Sequence, residues 1–439
     1  MNQKSRKLTV LAISGLPLWN MGEKKGMPSL YEGVKAFIRH GHNVHFITCF
    51  PPLHGSEVEV DHSKEYIKEG IRIYQFSIPL LSALKRLKNR TFSPHPLIQL
   101  FQYAIHLFSE YTIWILFTIG AVFKAKRVSS KYHPDVIYAY NEFAALAGYI
   151  VAKMYKVPNI TRLFGTFLYY VLSSVGFWLR YAVAISGYVI PSAYLIVAND
   201  GTKGNKVAEA LGINKKRLRF WRNGVDLSIY DPDLDVETVK RKLGISKNVK
   251  IILSLCRLER WKGVHKLIEI IPQIVSKEKN VLFIIVGDGS QKPDLERMVK
   301  KLKISKWVHF RGSANREQVK EFLNIADIFV TLQDLSNLSN VFLEAFTCGK
   351  CIVTINDGST EELLKNGHSG VLVNPNNIKK ELPEVLLDLI KNESKRKQMG
   401  ENARRIALKK LQSWEERGDM EVRLIENLIS SKYKNMRDK

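Results

Sequence analysis

Asp334 to Gly349, DLSNLSNVFLEAFTCG, follows an apolar strand, IFVTL, and leads through a polar loop into a helix. Ser336, Asn337, Ser339 and Asn340 are residue types that bind turns and cap helices. The helix is expected to start at Asn340 and Val341 and to carry one acid, Glu344, a turn further on. A helix start offers unpaired N–H groups and the positive end of the helix dipole, which suits a phosphate. A carboxylate one turn along can accept hydrogen bonds from ribose hydroxyls. Strand, polar loop, helix start and acid together describe a seat for a nucleotide diphosphate. Alone, the same residues also describe an ordinary loop-to-helix junction, so the neighbouring segments must choose.

The segments on either side form a regular series. VKIILSLC, VLFIIVGDG, WVHFRG, DIFVTL, CIVTI and GVLV are short apolar strands separated by helical periodicity. Ligands of such sheets collect beyond the carboxyl ends of the strands. After IILSLC come Arg257, Lys262 and Gly263, two cations able to neutralise a diphosphate. After FIIV comes Gly287 within Gly-Asp-Gly, and after VHF come Arg311 and Gly312. A basic pair is usually a solvated face and Gly-Asp-Gly usually a turn. Suggestive residues at four strand ends are harder to assign to chance.

The first half has the same grammar. LTVLAIS is a buried strand, followed by a loop with Gly15, Gly22 and Gly26, then a helix, a tight turn at Gly41-His42 and a second strand. The glycine spacing is not G-x-G-x-x-G, so it does not point to NAD. PDVIYAY, VPNITRLFGT and AYLIVAND are further strands. A boundary is expected within NGVDLSIYDPD, Asn223 to Asp233, which is rich in turn formers. The fold class is therefore α/β, with two doubly wound parallel sheets. The expected domains are 1–223, 224–413 and a helix, 414–439, that caps the second domain or returns to the first.

Composition narrows the partners. The 439 residues are 45% hydrophobic and 25% charged, as in globular domains, but the net charge is +25. That balance suits a phosphorylated substrate or an anionic membrane face. Basic clusters lie at Lys85 to Arg90, Lys124 to Arg127 and Lys215 to Arg219, without a zinc-finger, RNA-binding or basic-zipper pattern, so nucleic acid is the weaker partner. Leu97 to Phe123 is apolar and aromatic between basic flanks, which reads either as a pair of packed helices or as a surface lying on anionic lipid. Neither Tyr111–Phe123 nor Tyr181–Ala198, which holds Pro191, reads as a bilayer span. MNQKSRK does not read as a signal peptide, and four cysteines are too few for a disulfide framework. Cys348 and Cys351 form C-x-x-C without a second pair and read as two small buried residues. The expected location is cytoplasmic, at the inner face of the cell membrane.

The series SLCRLERWKGV, IIVGDG, VHFRG, NVFLEAFTCGKCIV and GSTEELLKNGHSGVLV resembles the C-terminal domain of glycosyltransferase family 4. KKGMPSLYEGVKAFIRHGHNVHFIT, PDVIYAY and RNGVD extend the resemblance to the first half. It implies the GT-B fold, two Rossmann-like domains facing across a cleft. It also implies retaining transfer of a sugar from a nucleotide-sugar without metal or other cofactor. Arg257 and Lys262 match the pair that holds the donor diphosphate, and Asn340 and Val341 the backbone around the phosphate. Glu344 matches the ribose-binding acid, Arg311 and Gly312 the base contacts, and Gly26 the glycine loop. Glu362 matches a frequent acid of unassigned role. Two positions depart from the pattern: Ser336 stands where a first acid is usual, with Asn337 beside it, and Phe164 where a histidine is usual. The implied acceptor side is a lipid-linked or cell-surface glycan, on the strength of charge and apolar stretches. The competing classes are a GT-B nucleotide-sugar 2-epimerase and a non-catalytic sugar-nucleotide- or nucleic-acid-binding protein.

Overall fold

The computed structural model describes residues 6–18, 28–53, 65–88 and 96–437. Two sheets organise them. The first holds β1 (Thr9–Ser14), β2 (Asn43–Cys49), β3 (Glu65–Lys68), β4 (Ile71–Phe76), β5 (Val136–Tyr140), β6 (Asn159–Leu163), β7 (Tyr194–Ala198) and β8 (Leu218–Trp221). Their order is β3-β4-β2-β1-β5-β6-β7-β8. The second holds β9 (Lys250–Leu255), β10 (Val281–Val286), β11 (Val308–Phe310), β12 (Ile328–Thr331), β13 (Cys351–Ile355) and β14 (Val371–Val373), in the order β11-β10-β9-β12-β13-β14. All pairings are parallel except β3 with β4. The expected parallel α/β class is what the structure shows. The antiparallel edge strand β3 was not expected, because EYIK is short, polar and half exposed and gives no burial signal.

Both orders reverse direction once, between β1 and β5 and between β9 and β12. At such a reversal the neighbouring connections leave on opposite faces, and a crevice opens at the carboxyl ends. Fully buried strands such as VLFIIV and VIYAY fix the sheets in place, since both of their faces are covered.

The stretch 97–123 does not form a pair of helices. It belongs to one helix, Pro96–Tyr132, whose Ile113, Phe117, Ala121, Ala125 and Val128 are buried in the first domain's core. Phe101–Tyr132 is also long and apolar enough to cross a membrane by length and composition, with 28% of its most apolar window buried. Tyr111–Phe123 is too short to span by itself, but the helix that contains it continues on both sides, through Gln102, His106, Ser109 and Glu110 toward its start.

The last helix, Trp414–Arg437, lies on the first domain. Its Val422, Ile425 and Ile429 enter the same core as Leu30, Val34 and Phe37 of the helix Pro28–Arg39. Next to Val422 in the chain, Glu421 is the centre of a buried charge cluster. Glu421 accepts hydrogen bonds from Arg162 (3.1 Å), Arg417 (2.9 Å) and the Tyr138 hydroxyl.

Candidate active site

Two glycines bring the first cations into place. Gly287 has φ +136°, and a Cβ there would stand 1.8 Å from the Cys256 carbonyl oxygen. Gly263 has φ +72°, and a Cβ there would stand 2.0 Å from the Leu332 carbonyl oxygen. Only glycine lets the segment after β9 press against the ends of β10 and β12. That segment carries Arg257 and the short 3-10 turn Arg260–Lys262. The Arg257 guanidinium and the Lys262 ammonium lie 5.7 and 4.0 Å from the centre of the Trp261 ring.

Lys262 is nearly buried. Its Nζ donates to Gln333 Oε1 at 2.5 Å, and Gln333 Nε2 donates to Thr331 Oγ1 (2.8 Å) and Ser339 Oγ (3.2 Å). Burial, with Arg257 beside it, pushes the Lys262 ammonium down to about 8. Gln333 gave no motif signal, yet it ties the buried cation to the residue that caps the next helix.

That helix is Asn340–Thr347, and its N-cap is Ser339, whose side chain accepts from the Phe342 N–H. Phe342, Leu343, Ala345 and Phe346 are buried, which aims the helix start at the cleft. Asn340 Oδ1 accepts from Asn223 Nδ2 of the interdomain segment at 3.0 Å. Ser336 takes a left-handed backbone, φ +63°. Asn337 is fully buried and donates to Asp357 at 2.8 Å.

A cavity of about 430 Å³ lies between the domains. One wall holds Arg257, Trp261, Lys262, Ser336, Ser339 and Asn340. The facing wall comes from the first domain, with Ser29, Phe164, Thr166, Phe167, Asp200 and Thr202. Of the sequence-predicted residues, the fold thus gathers Arg257, Lys262, Ser336 and Asn340 here.

Others stand elsewhere. Gly287 supports the Arg257 loop from behind, and Gly312 accepts the Gly287 N–H through its carbonyl. The Arg311 guanidinium donates to the Leu243 carbonyl (2.8 Å), away from the cavity wall. Asn337 and Val341 do not line the cavity, and neither does Glu344. Burial pushes the Glu344 carboxyl up to about 7, with Arg316 opposing the rise. Gly26 lies outside the described residues. Glu362 is exposed and pairs with Arg222 of the interdomain segment. Cys348 and Cys351 are buried, and burial raises the Cys351 thiol to about 12. Asp200, missed in the sequence, is signalled there only as the acid closing the apolar strand AYLIVAND.

Two facing parallel α/β domains, with cations and a helix start at the switch point of the second, define a GT-B enzyme. The family models described as Glycosyltransferase Family 4 and Glycosyl transferases group 1 match residues 29–229 and 235–406. The chain belongs to glycosyltransferase family 4, of GT-B fold, and is a glycosyltransferase. It is similar to N-acetyl-alpha-D-glucosaminyl L-malate synthase of Bacillus anthracis, 23% identical over 364 residues, covering 82% of this chain and 90% of that one. Among solved structures it is similar to Anabaena HepE in complex with UDP and glucose, with a TM-score of 0.66, 20% identity, and coverage of 97% and 100%. Sucrose-phosphate synthase from Thermosynechococcus elongatus gives a TM-score of 0.74 at 16% identity, with the same coverage.

Proposed function

We propose that the chain is a retaining glycosyltransferase that takes a sugar from a nucleotide-diphosphate-sugar and gives it to a lipid-linked or cell-surface glycan at a membrane. The observation that carries the donor reading is the interdomain cavity with Arg257, Lys262 and the Ser339-capped helix start on one wall. Residues 224–413 act as the donor domain and 1–223 as the acceptor domain, with 414–439 bracing the latter. Breaking the bond between sugar and diphosphate builds positive charge on the sugar and negative charge on the leaving group. Two cations and a helix dipole aimed at the diphosphate stabilise that separation. Retention is what family membership supports.

The test is binding and turnover of UDP-, GDP- and ADP-sugars, beside Arg257→Ala. One nucleotide is expected to bind selectively, with turnover falling about 100-fold in the variant. Undiminished turnover in Arg257→Ala would remove the diphosphate assignment.

The membrane reading rests on the helix Pro96–Tyr132. Phe101, Phe108, Ile115, Ile119 and Phe123 are exposed and spaced at seven, seven, four and four residues, a single helical face. Tyr111 Oη donates to the Leu179 carbonyl (2.5 Å), tying this helix to the segment that carries exposed Val175, Trp178 and Leu179. Lys124, Lys126 and Arg127 supply charge for anionic lipid at the helix's far end. Phe167 and Tyr170 are exposed as well, and Phe167 is a wall residue of the cavity. Vesicles with anionic lipid are expected to retain the protein at low salt, and Phe101→Ser with Phe108→Ser and Phe123→Ser to release most of it. Equal retention of wild type and variant in a sedimentation assay would refute this surface.

A further inference from the structure

Asp200 follows β7 in the first domain and reaches the loop that carries Ser336 in the second. Its Oδ2 accepts from Ser336 Oγ at 3.0 Å, and its carbonyl accepts from the Leu338 N–H at 3.0 Å. Its Oδ1 accepts from the Thr202 N–H (3.1 Å) and hydroxyl (2.6 Å). Gly165 packs directly on the carboxylate; a Cβ there would stand 2.5 Å from Oδ2. The group is thus held in one orientation. Among the described residues lining the cavity it is the one carboxylate.

We propose that Asp200 faces the transferred sugar in this cavity, accepts a hydrogen bond from one of its hydroxyls and stabilises positive charge building at its anomeric carbon. The inference rests on the nucleotide-sugar reading above and names the group that the first domain adds to it. With the diphosphate on the wall of Arg257 and Lys262, the attached sugar projects to the opposite wall, where Asp200 stands. An ionised carboxylate has about four acceptor positions; Thr202 places two donors on Oδ1 and Ser336 one on Oδ2, so Oδ2 is the less occupied oxygen and the one to take a further donor. Burial raises the Asp200 carboxyl above its ordinary range, against the hydrogen bonds from Thr202 and Ser336. A buried anion in that condition gains most when a positive charge appears beside it. The same placement compensates for Ser336, which lacks a carboxylate of its own: Ser336 donates to one instead. Asp200 takes no part in bond exchange; it supplies charge and one acceptor.

Asp200→Asn isolates the charge. An amide oxygen can still accept from Thr202, and the amide nitrogen can donate to Ser336 Oγ, so the bridge between the domains survives. The expected result is a fall in kcat of about 100-fold or more, with affinity for the nucleoside diphosphate within about threefold of wild type. A variant within about fivefold of wild-type kcat overturns the proposal while leaving the donor reading intact. An equal loss of nucleoside diphosphate affinity also overturns it, because that marks a clamp between domains. If wild type binds no nucleotide-sugar, both readings fall together. Should Asp200→Asn not fold, a wild-type structure with an unreactive fluorinated donor decides. A sugar hydroxyl within hydrogen-bond distance of Asp200 supports the proposal, and a sugar held away from it overturns it.

Discussion

Lys262→Met is expected to lower kcat about 100- to 1000-fold while leaving the protein at least as stable at neutral pH. Both effects have one cause. The ammonium is nearly buried, and burial pushes it down to about 8 from an ordinary 10.5. The folded protein therefore resists the charged form, at a cost of about 3 kcal/mol near neutral pH. A lysine whose folded value lies below its unfolded one binds its proton more readily when the chain unfolds. Its penalty on stability is full below about 8 and fades as pH rises toward 10.5. Methionine fills the same space without the charge, so the penalty goes. On the proposed donor reading, catalysis needs that charge at the diphosphate. In wild type, kcat/KM for the donor is therefore expected to fall as pH rises through about 8, the value for the free enzyme. The variant loses this limb. Steady-state kinetics and melting curves across that range check both halves; wild-type rates in Lys262→Met would detach Lys262 from the chemistry.

Glu421→Gln is expected to cost about 3–5 kcal/mol, with the first domain melting roughly 10 °C earlier. Glu421 is 1% exposed, and Arg162 and Arg417 are 3% exposed. The carboxylate is the anion between two buried guanidiniums, at 3.1 and 2.9 Å. Removing it leaves two cations in a core that cannot solvate them. Replacing the whole set, Arg162→Met with Arg417→Met and Glu421→Leu, is expected to recover most of the loss, since an apolar trio needs no compensation. Calorimetry of both variants decides this; a Glu421→Gln transition within about a degree of wild type would show that the ion cluster contributes little. The cluster also ties the two domains, because Arg417 Nε donates to the carbonyl of Arg222 (2.9 Å), the residue paired with Glu362 of the second domain.

Much of the fold was legible because it is written locally. VLFIIV and VIYAY are apolar on both faces, and a strand can be so only when covered on both sides. Arg257 and Lys262 stood at a strand end in the sequence, and the glycines that press their loop inward were visible there too. What escaped were relations between distant residues. Arg311 looked like a strand-end cation, but its guanidinium is taken by the Leu243 carbonyl from another element. Gln333 reads as one more polar loop residue until the fold sets its carbonyl oxygen against Lys262. The run from Leu97 to Phe123 shows apolar content, but not that one side of a single long helix is spent on the core and the other left exposed.

The sequence by itself determined the α/β class, the family and the two cations at the end of β9, because strand burial, turn chemistry and strand-end position depend on near neighbours. Tertiary structure alone decided which acid meets the cavity. Glu344 lies on the expected helix yet outside the lining, whereas Asp200, from the other domain, stands within it. A side chain's partners across a cleft depend on how two sheets are set against each other, and that arrangement arises from contacts far apart in the chain.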